Sequence, residues 1–178
     1  MKERKIMPFD KNFVPALRFA VMSDIHIDDE DCIEEQRFAK ALDDLKKMCS
    51  SDERYSGFDA LVIVGDFASR GSEIQMRKVK KILDAGFPAD VRLIMTMASH
   101  EYMTDGEENA LRRFDEIFGL TPDTHAVING FDFIAVTTTG GCHFDDKKRK
   151  FISAELEKAA ERDGKKPIFF FQHPHITD

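Results

Sequence analysis

Cysteine is scarce in this chain. It has three, Cys32, Cys49 and Cys142, with no CxxC spacing and one left over from any pairing. A disulfide framework is therefore not expected, and the three read as free thiols in a reducing compartment. The opening residues, MKERKIMPFDKNFVP, contain no apolar stretch of the kind a secretory signal needs. No apolar run approaches the length of a membrane span. The expectation is a cytoplasmic protein with no membrane partner. Positive charge is short too: 26 Lys and Arg stand against 33 Asp and Glu, a net charge of −7. Phosphate contacts need clustered Lys and Arg, so this balance argues against a nucleic-acid-binding surface. There is no Walker-type glycine-rich phosphate loop, no internal repeat and no low-complexity segment.

What is present is an alternation of apolar strands and amphipathic helices over 178 residues, enough for one domain with a real core. Ala60 to Val64 are five apolar residues in a row, three of them Val or Ile. So short a run reads as a strand buried on both faces, as in a parallel sheet covered by helices. Strands are also expected at Leu17–Met22, Val91–Met97 and Pro167–Phe171, the last buried on both faces. A hairpin is expected around Asn129-Gly130. Helices are expected from about Asp31 to Cys49, from Ser72 to Gly86, and along the Leu111, Phe114, Ile117 and Phe118 stripe to Gly119. A fourth, Ala154–Arg162, is capped by Ser153 and closed by Gly164. The fold class is α/β with a mainly parallel sheet flanked by helices. Residues 1–15 read as a tail or edge segment.

Each strand hands over a potential ligand at its C-terminal end, the rim where open α/β sheets bind ligands. The first delivers Asp24 and His26, the second Gly65 and Asp66, the third Ser99, His100 and Glu101, the fourth His173 and His175. Carboxylates and imidazoles converging on one rim suit manganese, iron or zinc. His125 and His143 read as ordinary hairpin and loop residues, and Lys147–Lys150 as a solvated surface.

In order, DxH at Asp24 and His26, GD at Gly65 and Asp66, HE at His100 and Glu101, and a strand-terminal His173 beside proline make an ensemble. It resembles the calcineurin-like metallophosphoesterase superfamily over nearly the whole chain, from Arg18 to His175. The resemblance implies half of an αββα sandwich and hydrolysis of a phosphomonoester or phosphodiester at a dinuclear metal site with a bridging hydroxide. It implies that Asp66 bridges two divalent ions, that Asp24 and His26 complete one, and that His173 serves the other. His100 would protonate the leaving oxygen or hold the phosphoryl group, and Glu101 either orients His100 or belongs to the surrounding shell; His175 reads as a supporting or loop-capping residue that competes with His173 for the ligand position. The acidic balance favours a small-molecule phosphoester over a nucleic acid.

Two departures from the pattern carry expectations of their own. Ser99 stands where the family has asparagine; its hydroxyl is a shorter, poorer ligand, so the second ion should bind more weakly or through a water. The sequence ends at Asp178, before the family's last GHxH motif, so the expected domain, 1–178, is an incomplete catalytic domain. The missing C-terminal half of the fold is then a required partner. The rival reading is a non-catalytic, metal- or protein-binding relative that keeps the fold; turnover of an artificial phosphodiester with manganese separates the two.

Overall fold

The computed structural model describes residues 12–88, 90–140, 143–162 and 166–174. Strands β1 (Phe19–Met22), β2 (Ala60–Val64) and β3 (Arg92–Thr96) form one sheet in the order β1-β2-β3, all parallel, with Val21 against Val62 and Val62 against Ile94. Strands β4 (Thr124–Ile128), β5 (Phe131–Ala135) and β6 (Ile168–Phe171) form a second, in which β4–β5 is antiparallel and β5–β6 parallel. Three of the four pairings are parallel, as the sequence leads one to expect. The hairpin turn is Asn129-Gly130, with φ of 51° and 79°. Positive φ at both central residues is the twist-matched turn for a two-residue hairpin.

From β2, Leu61 and Ile63 pack with helices α1 (Ile33–Ser50), α2 (Glu73–Gly86) and α3 (Glu107–Phe118); Ala60, Val62 and Val64 face the second sheet. All five β2 residues are buried, as expected of a central strand covered on both faces. Between the sheets lies a phenylalanine cluster: Phe19 sits 5.0 Å from Phe133 and 4.9 Å from Phe169, edge to face. On the far side, helix α4 (Asp146–Arg162) covers Ile134 and Val136 with Ala159, Phe151 and Ile152. The layers run helix, sheet, sheet, helix. The second sheet therefore lies within this chain.

Three expectations need correction. Strand β6 is not buried on both faces: Phe169 and Phe171 point at the first sheet, but Ile168 and Phe170 remain 36% and 37% exposed. Among the described residues β6 pairs with β5 alone, and α4 lies over β5 rather than over β6. Helix α4 begins at Asp146 rather than Ala154. Asp145 accepts the Lys148 backbone N–H at 2.8 Å, which holds the Asp145 carboxyl below its ordinary range and caps the helix eight residues before Ser153. Lys147–Lys150 is thus helical, and Lys148 is buried against Asp123 at 2.5 Å instead of solvated. Gly164, the expected closing residue, lies outside the described residues. The other helix ends match: Ser72 and Gln75 form a capping box, and Gly119 closes α3 at φ 62°. Cys32 and Cys49 are free thiols, and Cys142 lies outside the described residues. No helix among them is long and apolar enough to cross a membrane.

Candidate metal centre

The backbone after β1 and β2 adopts an uncommon conformation to aim its side chains. Asp24, His26 and Asp66 all have positive φ, 56°, 54° and 50°. Asp and His are among the few non-glycine types that enter this region with any frequency, at roughly 1–2 kcal/mol per residue. The cost is met by pairing. The two loops prolong the parallel ladder past the strand ends: His26 N–H donates to the Asp66 carbonyl (3.1 Å), Ile27 N–H to Phe67 (3.1 Å) and Ser69 N–H back to Ile27 (2.9 Å). Gly65 has to be glycine here. A Cβ on it would lie 2.6 Å from the Ala98 Cβ and 3.1 Å from His173, so its absence lets the β3 and β6 termini approach Asp66.

Two groups of ligand atoms result, each with all its members within 4.8 Å of one another: His26, Asp66 and His100, and Asp24, Asp66 and His173. Asp66 belongs to both and is buried. Its Oδ2 lies 3.1 Å from His173 Nε2, and its Oδ1 accepts the His100 backbone N–H at 3.2 Å. The grouping differs from the one the resemblance implies. Asp24 stands with His173 and His26 with His100, although His26 Nε2 is also 3.8 Å from Asp24 Oδ1. The His26 and His100 rings meet edge to face, 4.6 Å between centroids.

The donor set fits a divalent cation of the manganese, iron or zinc type: carboxylate oxygens with imidazole nitrogens and no thiolate. The imidazoles are also held as metal-ligating histidines are. His173 Nδ1 lies 2.7 Å from the Val64 carbonyl, and His100 Nδ1 lies 2.7 Å from the Ser69 carbonyl. A carbonyl only accepts, so each Nδ1 carries a proton and Nε2 is the nitrogen left to serve a metal.

The remaining predicted residues fall as follows. Ser99 is exposed at the head of a short 3₁₀ turn, His100–Tyr102, and its side chain caps nothing there. Glu101 points away from the histidine beside it. It is fully buried, and its carboxylate accepts three backbone N–H groups, from Asp66 (2.9 Å), Ala68 (3.0 Å) and Ala98 (2.8 Å). Burial pushes its pKa up to about 7 despite those three donors, which favour the charged form. His175 lies outside the described residues. Sequence reasoning left Glu101 between orienting His100 and a more general supporting role; nothing in the chain marks which backbone amides a buried carboxylate will collect. It also missed a cleft of about 800 Å³ that opens beside Asp24 and His26, walled by Val21, Cys32 and Phe38 with Arg37 at its rim.

Among curated proteins, none matches this chain significantly. The family model for calcineurin-like phosphoesterases matches residues 17–177, a span that contains every candidate ligand above. With that match over most of its length, the chain belongs to the calcineurin-like phosphoesterase family.

Proposed function

We propose that this chain hydrolyses phosphate esters of small molecules at a site for two divalent cations that share Asp66. The observation that carries the reading is the position of Asp66: a buried carboxylate that belongs to both ligand groups, with Oδ2 3.1 Å from His173 Nε2. A carboxylate has the two oxygens and the charge that a shared ligand requires. Asp24, His26 and His173 are the further ligands. Bound cations would neutralise phosphoryl oxygens and lower the pKa of a water held beside the phosphorus. His100 presents an Nε2 that its Nδ1 contact leaves free, and it serves the leaving oxygen as proton donor or holds the phosphoryl group. The cleft beside Asp24 and His26 receives the ester's organic part. Ser99 offers no carbonyl where the family has one, so the second cation is held more weakly.

The test is turnover of p-nitrophenyl phosphate and bis(p-nitrophenyl) phosphate by the purified chain, with manganese and after chelation. Manganese-dependent release of nitrophenol supports the reading. No release from either ester, together with no uptake of manganese, cobalt or zinc, refutes it.

A further inference from the structure

We propose that Glu101 is a positioning residue that locks Asp66 in the conformation that lets it reach both ligand groups. The inference rests on the metal-site reading above and adds to it a residue that touches neither cation nor substrate. Asp66 is the sole member common to the two groups, and it sits at φ 50°. A residue in that region persists only where its surroundings over-determine it. The Asp66 side chain is held by its own contacts, but among the described residues its backbone N–H has one partner, the Glu101 Oε2 at 2.9 Å. The same oxygen takes the Ala98 N–H at 2.8 Å, and the other oxygen takes Ala68 at 3.0 Å. One carboxylate thereby spans the loop after β2 and the loop after β3, the two segments that carry Asp66 and His100.

The loop after β2 grips Glu101 from its other side as well. Gly71, at φ 70°, lies so close that a Cβ there would be 1.9 Å from the Glu101 carbonyl oxygen. Next to it, the Arg70 carbonyl accepts the Thr104 backbone N–H at 3.0 Å and the Thr104 hydroxyl at 2.6 Å. Residues 66–71 are therefore wrapped around the Glu101 side chain at one end and its backbone at the other. Loss of the carboxylate frees the first end, where Asp66 is, and leaves the second tied. The consequence is specific: ligand geometry changes before the fold does.

The experiment compares the full chain with its Glu101→Gln and Glu101→Ala variants by thermal unfolding, cobalt titration and the visible absorption of bound cobalt. Glutamine keeps one oxygen for Asp66 and Ala98 but turns an amide N–H₂ toward the Ala68 donor, so the variant folds. Groups that orient metal ligands typically control affinity 10- to 100-fold. The expected result is a cobalt dissociation constant raised about 10-fold in Glu101→Gln and about 100-fold in Glu101→Ala, with altered absorption bands in both. Folded variants with the parent's cobalt affinity and spectrum overturn the positioning role and leave the proposed function standing. A Glu101→Gln chain that does not fold assigns the carboxylate to the fold instead. A parent chain that takes up no cobalt overturns this inference together with the function on which it rests.

Discussion

His125 ties β4, β5 and α4 together, and its removal should destabilise the fold. It sits on β4 with both ring nitrogens engaged: Nδ1 lies 2.7 Å from Glu155 Oε2 on α4, and Nε2 lies 2.7 Å from Asp132 Oδ1 on β5. The three side chains are only 9%, 12% and 6% exposed. Outside them stand Lys158, 2.6 Å from Glu155, and Arg162, 3.1 Å from Asp132, both well exposed. This network ties α4 to the second sheet, where the apolar contact is a small cluster around Ile134, Val136 and Ala159. His125→Ala removes two hydrogen bonds to charged acceptors, each worth about 1.5–3 kcal/mol. Lys158 still holds the other Glu155 oxygen and Arg162 still holds Asp132 Oδ1, which puts the sum at the lower end, about 3 kcal/mol. In a domain of this size each kcal/mol moves the melting point by roughly 2–4 °C, so a fall of about 6–12 °C is expected by calorimetry near neutral pH.

The pH dependence has a definite sign. The Glu155 carboxyl is held below its ordinary range, by Lys158 first and His125 second. A depressed carboxyl pKa contributes stability above the unfolded-state value, and that stability is lost as pH falls through the folded-state value. The gap between parent and variant should therefore narrow in acid. A fall under about 2 °C at neutral pH, equivalent to less than about 1 kcal/mol, would show that α4 docks without the network and refute the reasoning.

Three further outcomes follow from the site. Gly71→Ala places a Cβ 1.9 Å from the Glu101 carbonyl oxygen at a φ of 70°, so the chain should lose several kcal/mol, roughly 2–4, in urea unfolding; a change below about 1 kcal/mol would mean the loop yields freely. Ser99→Asn restores a carbonyl oxygen to the exposed head of the 3₁₀ turn, and manganese titration should then show a tighter second binding step; an unchanged titration means residue 99 does not face the second cation. His100→Ala should cut turnover by about 10²- to 10⁴-fold, the usual share of a general acid, with little change in metal content by atomic emission. Loss of metal instead would make His100 a ligand, which its place beside His26 and Asp66 permits.

The features legible in the sequence were those with local causes. β2 could be read from five consecutive apolar residues, the hairpin from Asn129-Gly130, α2 from Ser72 as cap, and the rim from ligands placed at strand ends. The features that were not legible depend on who packs against whom. Nothing local tells that β4, β5 and β6 leave the first sheet and face it, because the alternation of Phe131 and Phe133 inward suits either arrangement. The start of α4 was missed because Asp145 and Ser153 are equally good caps on paper, and only Asp145 finds the free Lys148 N–H. Three phenylalanines in succession at Phe169–Phe171 suggested burial on both sides, yet an alternating strand with one covered face leaves Phe170 out. His125 read as a bland hairpin residue because its partners lie 7 and 30 positions away.

The division of labour in this molecule follows from where strain can be afforded. Asp24, His26 and Asp66 sit in backbone conformations that together cost several kcal/mol, about 1–2 each. A single strand end cannot supply that by itself. Each strained residue is instead held by an element distant in sequence: Asp24 and His26 through N–H bonds to the Gly65 and Asp66 carbonyls, Asp66 through Glu101 after β3. His173, at the end of β6, is held in turn by the Val64 carbonyl of β2. The centre is thus assembled by four strand ends that brace one another across both sheets. Its geometry depends on the sandwich being closed at this rim, and that closure requires the bare backbone of Gly65 between Ala98 and His173. Disturbing the packing of β6 against β1, through Phe19 and Phe171, would therefore reach His173 before it reached any other candidate ligand.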